Sequence, residues 1–436
     1  MKMLTSKQFL YIGLASGIRF LLINSELQNT ISERVEISTA LNSWKRVTEG
    51  VQLRDFGIDP YSGDLFHETP LGLVVFSWMH KFLSFQSLKI IFIITDLLTA
   101  WFIYLTARNY IAEVAKKEKE DAKNFEENEI SYTPIATTSQ SSIFYAPAAY
   151  LFNPYIVLNC VGLTTTVFSN LITSMTLYFM IKKSKIAIGL LIPLLTLQNL
   201  YPASLLVPAI IFVVRDINDK YQRIKMIMLM IIIFIISLTA LFYLSFNITG
   251  SWSFTKNTIG FILNVPDLRP NIGLHWYFFT EMFEHFRGLF IATFQINVGL
   301  LYIVPLALRL RKDPMLLSFA YLSIIAIFKS YPSIGDVGFY MALLPMWQHL
   351  FRHMQQGFNV GCFMLFCTIF APTVWHQWIY ARSANANFYF GVTLAFAIAQ
   401  IFLLTDILFA SCKREVALKN RLNQEVNGQK VKLILE

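Results

Sequence analysis

The chain has 436 residues, of which 55% are hydrophobic and 14% charged, with a net charge of +9. A soluble chain carries about 25% charged residues, so the composition argues against a soluble enzyme, a disordered protein and a nucleic-acid-binding domain. It fits an all-α polytopic membrane protein, whose spans each need roughly 20 mostly apolar residues.

In chain order, the apolar runs that read as spans are Gln8–Ile23, Leu88–Ala107, Ser142–Gly162, Leu163–Ile181, Ile186–Asn199 and Leu200–Val214. They continue with Met226–Phe246, Gly288–Leu308, Met315–Phe328, Gly335–Leu350, Gly357–Trp378 and Phe388–Ala410, about twelve transmembrane helices in all. A further run, Leu71–Phe85, is interrupted by His80 and Lys81. Parity decides its reading. With Lys2 and Lys7 in the cytosol and this run not crossing, the basic segments 182–185, 215–225, 309–312, Arg352 and the tail from Lys413 all face the cytosol, as the positive-inside rule asks. If the run crossed, every later loop would flip. It is therefore expected to be a short helix lying in or dipping into the luminal leaflet. Both termini are expected in the cytosol.

Residues 1–436 thus read as a single integral membrane domain. Its expected parts are a long luminal loop with short amphipathic helices at 24–87, a mobile cytosolic loop at 108–141, a luminal loop at 247–287 and a cytosolic tail at 411–436. The first span carries Arg19 and no small-x-small cleavage site follows, so it reads as a retained anchor. Cys160, Cys362, Cys367 and Cys412 lie in or beside apolar runs and read as packing residues without disulfides. The sequon Asn247-Ile248-Thr249 abuts a span end and reads as unused.

A charge inside a span costs about 2.5–3.5 kcal/mol at the helix centre on insertion scales. Arg19, Asp96, Lys329 and Asp406 therefore each need a reason, either interhelical pairing or a polar cavity for a lipid headgroup. In ISERVEIS, Glu33 and Glu36 are three apart, which on a helix puts both carboxylates on one face. That spacing reads first as a solvated helix with Ser32 as its N-cap, and otherwise suits a base and metal ligand in sugar transfer. Asp55, Asp59 and Asp64 accompany Pro60, Ser62 and Gly63 and read as turn residues. His67-Glu68 and Glu284-His285 lack zinc-site spacing, and no metal or cofactor is assigned. Glu281 and Glu284 suit an amphipathic helix with Trp276, Phe279 and Phe283 on its membrane side. No G-x-S-x-G, P-loop or dinucleotide fingerprint occurs, and no cysteine lies in a luminal loop, so no catalytic residue is assigned.

Asn385 and Asn387 sit in a short luminal turn beside Arg382 and Ser383. Their amides suit sugar hydroxyls and phosphate oxygens, and equally helix capping. Arg287, at the mouth of the eighth span, suits a phosphate or simple snorkelling. At the cytosolic face Arg223, Lys225 and Arg311, with Arg309 and Lys312, suit an anionic phospholipid headgroup or serve as topology determinants.

Several strings together resemble one family. They are ISERVEIS, SWKRVTEG, DPYSGDLFHETPL, TDLLTAW, LFNPY, NLYP, GFILNVPDLRPNIGLHWYFFTEMFEHF, FQINV, IAIFKSYPSIGDVGFYMALLP and WIYARSANANF. The chain resembles the PIG-U family, the phosphatidylinositol-glycan class U subunits of the glycosylphosphatidylinositol (GPI) transamidase, from its first span to its last. The resemblance implies an endoplasmic reticulum membrane subunit that recognises or presents the GPI lipid, without catalytic residues. It implies other transamidase subunits as partners, the cysteine-protease subunit among them, along with the GPI lipid and membrane phospholipid. It also implies a scaffold related to the C-type glycosyltransferases. Asn385 and Asn387 match the family's ANxN turn. DPYSGDLFHETPL and TDLLTAW also resemble the GPI-pathway mannosyltransferases, which use a D-x-D pair in the first luminal loop. This chain offers Glu33…Glu36 and Asp55…Asp59 there, with no D-x-D.

Overall fold

Prolines and capping side chains set where the helices begin. The computed structural model describes residues 6–122 and 135–419, with two short antiparallel strands, Glu425–Val426 and Gln429–Lys430. Residues 123–134 of the expected cytosolic loop lie outside the described residues, as does most of the expected tail beyond 419.

The apolar helix α1 (Ser6–Ile23) is followed by α2 (Leu27–Ser32), α3 (Trp44–Asp55) and α4 (Pro70–Phe82). Thr69 caps α4 by accepting from the Gly72 amide, and Pro70 occupies the first turn, where a missing N–H costs nothing. The run Leu71–Phe85 is thus a 13-residue helix. At 1.5 Å per residue it reaches about 20 Å, short of the roughly 30 Å hydrocarbon core. Its Leu73, Phe76 and Met79 are buried against protein.

The next helix, α5 (Phe85–Ala122), runs on through 108–122, and α6 (Ile135–Phe152) takes in 135–141. Both stretches were assigned to a loop by composition; the helix ladder of the apolar run simply continues into them. The expected span 142–162 is two helices. Asn153 accepts from the Tyr155 amide and Pro154 begins α7 (Pro154–Val161), so the chain turns there. Then come α8 (Thr166–Ile181), α9 (Lys185–Gln198), α10 (Leu206–Val214) and α11 (Lys220–Thr249). Asp219 caps α11 through the Tyr221 and Gln222 amides, and Gly250, left-handed at φ 70°, ends it.

The segment 247–287 holds α12 (Ser253–Thr255), α13 (Phe261–Asn264) and α14 (His275–Glu281). A π turn, Asn297–Leu301, joins α15 (Glu284–Ile296) to α16 (Ile303–Arg309). After α17 (Pro314–Phe328), α18 (Ile334–Leu343) passes into a 3-10 stretch, Leu344–His353. The last helices are α19 (Gly357–Ile379) and α20 (Ala386–Lys419). Helix therefore also takes up 411–419 of the expected tail. Among the described residues, 5 stretches are long and apolar enough to cross a membrane: Phe85–Glu118, Lys220–Thr249, Glu284–Arg309, Gly357–Ile379 and Ala386–Ala417. Six shorter apolar helices accompany them, among them Phe9–Ile23 and Pro314–Phe328.

The chain divides into two compact units. The first is Met1–Ile103 with Tyr150–Met341, the second Tyr104–Ala149 with Ala342–Glu436. In the first, Trp44 meets Phe76 and Phe92 edge-on at 5.3 Å each, in a core shared with Val47, Val51, Tyr61 and Phe66. That core fixes α3 and α4 as a folded layer over α5. Helices α9 and α11 approach closely: a Cβ on Gly189 would come 2.3 Å from Ile233 Cγ2, the small-residue contact that lets apolar helices meet. In the second unit α19 lies along α20. Asp406 of α20 accepts from the Gln355 and Gln356 amides, at 2.9 Å each, and so satisfies the start of α19.

Two close ion pairs join charged groups of apolar segments. Arg19 of α1 meets Asp96 of α5 at 2.6 Å, both fully buried, and Lys329 meets Asp336 at 2.7 Å. Tyr150 of α6 donates to the second Asp96 oxygen at 2.7 Å, and Arg19 donates to the Leu151 carbonyl at 2.8 Å. Removing one partner of such a pair leaves an uncompensated buried charge, worth about 3–5 kcal/mol. We expect Asp96→Ala to lose about that much in a denaturant titration of the detergent-solubilised chain, and Arg19→Met with Asp96→Leu to recover most of it. Equal losses in the single and double variants would mean that the pair does not carry this load.

Candidate functional site

Segment 24–87 does not present a carboxylate pair. Ser32 is the last residue of α2, its hydroxyl donating to the Asn29 carbonyl at 2.9 Å, and it starts no helix. Glu33 and Glu36 therefore share no helical face. Glu33 is exposed, while Glu36 is buried and accepts from Arg34 Nη2 and Nε, at 2.7 and 3.0 Å. Asp55 closes α3, and Asp59 caps the turn Pro60–Ser62 by accepting from the Tyr61 amide at 2.9 Å. These are structural uses, set by backbone amides that the turns leave unpaired.

What the first unit brings together instead is an aromatic and amide centre built from 40–69, 257–271 and 330–331. The His67 ring lies over Phe261 with centroids 3.5 Å apart, and Phe261 stacks on Tyr331 at 4.9 Å. Asn257 belongs to a π turn, Lys256–Gly260, an irregularity often found at functional sites. Its carbonyl lies 2.8 Å from His67 Nδ1, which places the proton on that nitrogen. Its amide nitrogen donates to the Tyr61 and Gly63 carbonyls. Arg46 pairs with Asp267 at 3.1 Å, and the Asp267 amide donates to the Tyr331 hydroxyl at 3.2 Å.

One residue in this centre pays a backbone strain. Val265 is left-handed at φ 47°, costly for a β-branched residue. Its carbonyl accepts from Arg287 Nη2 at 2.8 Å, which holds the turn. Beside it Gln295 donates to the Ile262 and Leu263 carbonyls at 3.0 and 3.3 Å, and accepts from the Tyr201 hydroxyl at 2.7 Å. Ser330 donates to the Ile262 carbonyl at 2.8 Å.

Burial keeps this centre close to neutral. Burial pushes His67 down to about 4, so its imidazole is uncharged at neutral pH, and its Nε2 has no partner among the described residues. Burial alone takes His275 to about 4 as well; its ring sits against Phe279 and Phe294. Glu68 rises to about 7 by burial, with hydrogen bonds from Thr165 and the Thr69 amide opposing the rise. Uncharged hydrogen-bonding groups beside stacked rings suit hydroxyl-rich ligands. No group of three or more His, Cys, Asp or Glu that could hold a metal occurs among the described residues. Trp276 and Phe279, expected on a membrane face, are buried in protein, whereas Phe283 is exposed.

The residues proposed for lipid contact fall in two places. Asn385 and Asn387 share one turn of the second unit: Asn385 Oδ1 accepts from the Asn387 amide at 3.1 Å and so caps α20, just after Arg382 at φ 54°. Both asparagines are exposed. Trp375 and Trp378 stand near them, packed on Tyr389 with centroids 5.1 and 6.1 Å away. Arg287 belongs to the first unit and is engaged by Val265. Arg223, Lys225 and Arg311 are exposed in the first unit, Arg223 donating to the Ile217 carbonyl at 2.7 Å.

Sequence reasoning missed Arg46–Asp267 and Tyr201–Gln295, whose members are 221 and 94 residues apart, and no local pattern announces them. It weighed His67-Glu68 only as metal ligands. The available signal was a glutamate set directly before a capped Thr69-Pro70 helix start.

The family model for the GPI transamidase subunit PIG-U matches residues 13–396, which include both loop segments, Arg287, Asn385 and Asn387. The chain is similar to the GPI-anchor transamidase component PIGU of Homo sapiens, 39% identical over 429 residues and covering 95% of each chain. The Mus musculus component of the same name is 40% identical over 428 residues, with the same coverage. The GPI transamidase component GAB1 of Saccharomyces cerevisiae is 28% identical over 392 residues, 89% of this chain and 90% of that one.

Glu68 provides a test of this centre. Its folded value lies above the ordinary 4.5, so the folded state holds the proton more tightly and Glu68 costs stability as pH rises from 4.5 towards 7. Glu68→Gln removes that cost. The stability of the variant relative to the parent should rise by about 1.4 kcal/mol per pH unit across that window, read by denaturant titration at several pH values. A difference independent of pH would show that Glu68 is not buried as described.

Proposed function

The chain belongs to the family of the GPI transamidase subunit PIG-U, and from that premise we propose that it is a non-catalytic membrane subunit that binds or presents the GPI lipid for attachment to precursor proteins. Its apolar helices make it a multi-pass membrane protein, and the transamidase is a complex of the endoplasmic reticulum. The observation that carries the proposal is the exposed amide pair Asn385 and Asn387 beside Trp375, Trp378 and Tyr389. Tryptophan and tyrosine concentrate at the headgroup level of a bilayer. Amides at that depth face sugars and phosphates, to which they donate and accept.

Arg287 is the second contact. Val265 fixes its guanidinium, and Nη1 meets the exposed Glu284 at 3.9 Å, a loose pair that a phosphate can replace. The acyl chains need no specific partner; their affinity follows buried apolar area at about 25 cal/mol per Å². Holding the glycan amine near the acyl-enzyme of a cysteine-protease subunit then helps by proximity and orientation. Arg223, Lys225 and Arg311 take phospholipid headgroups at the cytosolic face. About twelve spans, cytosolic termini, α4 within the luminal leaflet and a scaffold related to the C-type glycosyltransferases complete the reading.

Asn385→Ala with Asn387→Ala should reduce surface display of a GPI-anchored reporter several-fold while the complex still assembles. Normal display with normal assembly would remove the pair from the site. The alternative, a GPI-pathway mannosyltransferase, is separated by the lipid profile of cells lacking the protein. Completed GPI lipids should accumulate; an under-mannosylated precursor would overturn the proposal.

A further inference from the structure

The turn between α19 and α20 holds a side chain that the fold itself does not use. Among the described residues, four that are not glycine are left-handed: Leu163, Lys183, Val265 and Arg382, with φ between 47° and 54°. That conformation costs an L side chain energy that glycine avoids, so a side chain kept there needs a compensating contact. Leu163 and Val265 are buried in apolar cores, 3% and 1% exposed. Lys183 pairs with Asp216. Arg382 is exposed, and its guanidinium has no hydrogen bond or ion pair among the described residues.

The backbone of the turn is settled without that side chain. The Ala381 amide donates to the His376 carbonyl at 3.0 Å, and the Ser383 and Ala384 amides donate to the Gln377 carbonyl at 2.9 and 3.3 Å, which closes α19. Asn385 Oδ1 accepts from the Asn387 amide and opens α20. Glycine at 382 would serve this turn with less strain. Arginines in the other segments read as luminal are engaged: Arg34 by Glu36, Arg46 by Asp267 and Arg287 by the Val265 carbonyl. On the proposed topology Arg382 lies on the luminal side too, the side that basic residues avoid. A cation thus stands on the disfavoured side, on a strained residue, with donors that no described group of the chain takes up.

We propose that Arg382 binds the phosphate of the lipid whose sugar hydroxyls meet Asn385 and Asn387. This rests on the reading of that pair as a contact for the GPI lipid, and it adds the charged part of the same turn. A planar guanidinium takes two phosphate oxygens through paired charge-assisted bonds. The amides beside it take hydroxyls. One turn therefore offers both halves of a phosphate-linked sugar.

The test measures lipid retention by the full chain in detergent, by native mass spectrometry, with dioleoyl phosphatidylinositol and dioleoyl phosphatidylcholine as probes. Display of a GPI-anchored reporter is read in cells whose only copy of the protein is the variant. The wild type should retain phosphatidylinositol in preference to phosphatidylcholine, whose choline offsets its phosphate. Arg382→Gly should unfold at a denaturant midpoint equal to or above the parent's, because the strain is relieved. Its phosphatidylinositol retention should nevertheless fall about fivefold, the upper end for an exposed charge pair, and display should fall with it. Arg382→Gln should lose binding likewise, whereas Arg382→Lys, which keeps the charge, should hold most of it. Added salt should weaken retention by the wild type more than by Arg382→Gly, since an exposed cation is screened. Lys45→Gln, which removes an exposed cation of segment 24–87, should change none of these. Unchanged retention and display in Arg382→Gly would overturn the proposal; if Asn385→Ala with Asn387→Ala still loses display, the reading of the pair stands without it. Normal display in the asparagine variant would overturn that reading and, with it, the GPI source of the phosphate. A lower unfolding midpoint in Arg382→Gly, with display falling only in step with assembled complex, would make Arg382 structural and overturn the proposal. Displacement of phosphatidylinositol by inorganic phosphate at millimolar levels and constant ionic strength would assign the contact to free phosphate and overturn its lipid source.

Discussion

Arg19 and Asp96 meet where no water is available to share their charge, and the rest of the first unit is arranged around that fact. Inside a bilayer a charge has no water to turn to and must find its partners in the protein. The guanidinium therefore takes Asp96 and the Leu151 carbonyl, and the carboxylate takes Tyr150 as well. One network thus joins α1, α5 and α6. The hydroxyls nearby obey the same rule locally: Thr95 and Thr99 donate back to carbonyls four residues earlier on α5. Asp406 and Lys329 repeat the solution elsewhere, with backbone amides and with Asp336.

The same economy explains the segments between the long helices. Residues 24–87 are not a slack connection. Trp44, Val47, Val51 and Phe66 bury themselves over α5, and Asn42 ties the layer to the start of α8 through Thr166 at 2.9 Å. Because this layer is packed, its polar groups are desolvated and lose charge. His67 is neutral, and Glu68 is raised to about 7.

On the proposed reading the second unit meets lipid at the start of α20, where a capped turn offers two exposed amides among tryptophan and tyrosine. The amides recognise hydrogen-bond pattern, an interaction that depends less on salt than one between charges. The apolar helices beside them ask only for acyl chains.

Composition and spacing alone determined the class, the positions of most apolar helices and the family, because apolar runs and long irregular strings are local properties of a chain. They also showed that Arg19, Asp96, Lys329 and Asp406 needed partners. They did not show which partners, since Arg19 and Asp96 are 77 residues apart and Arg46 and Asp267 are 221. Nor did spacing foresee that Asn153 and Pro154 split one expected span, or that Glu33 and Glu36 lie past the end of a helix. Capping and packing decide those points. The burial of His67 and Glu68 belongs to the tertiary structure alone. A side chain's charge state depends on how much water its neighbours exclude, and those neighbours come from distant parts of the chain.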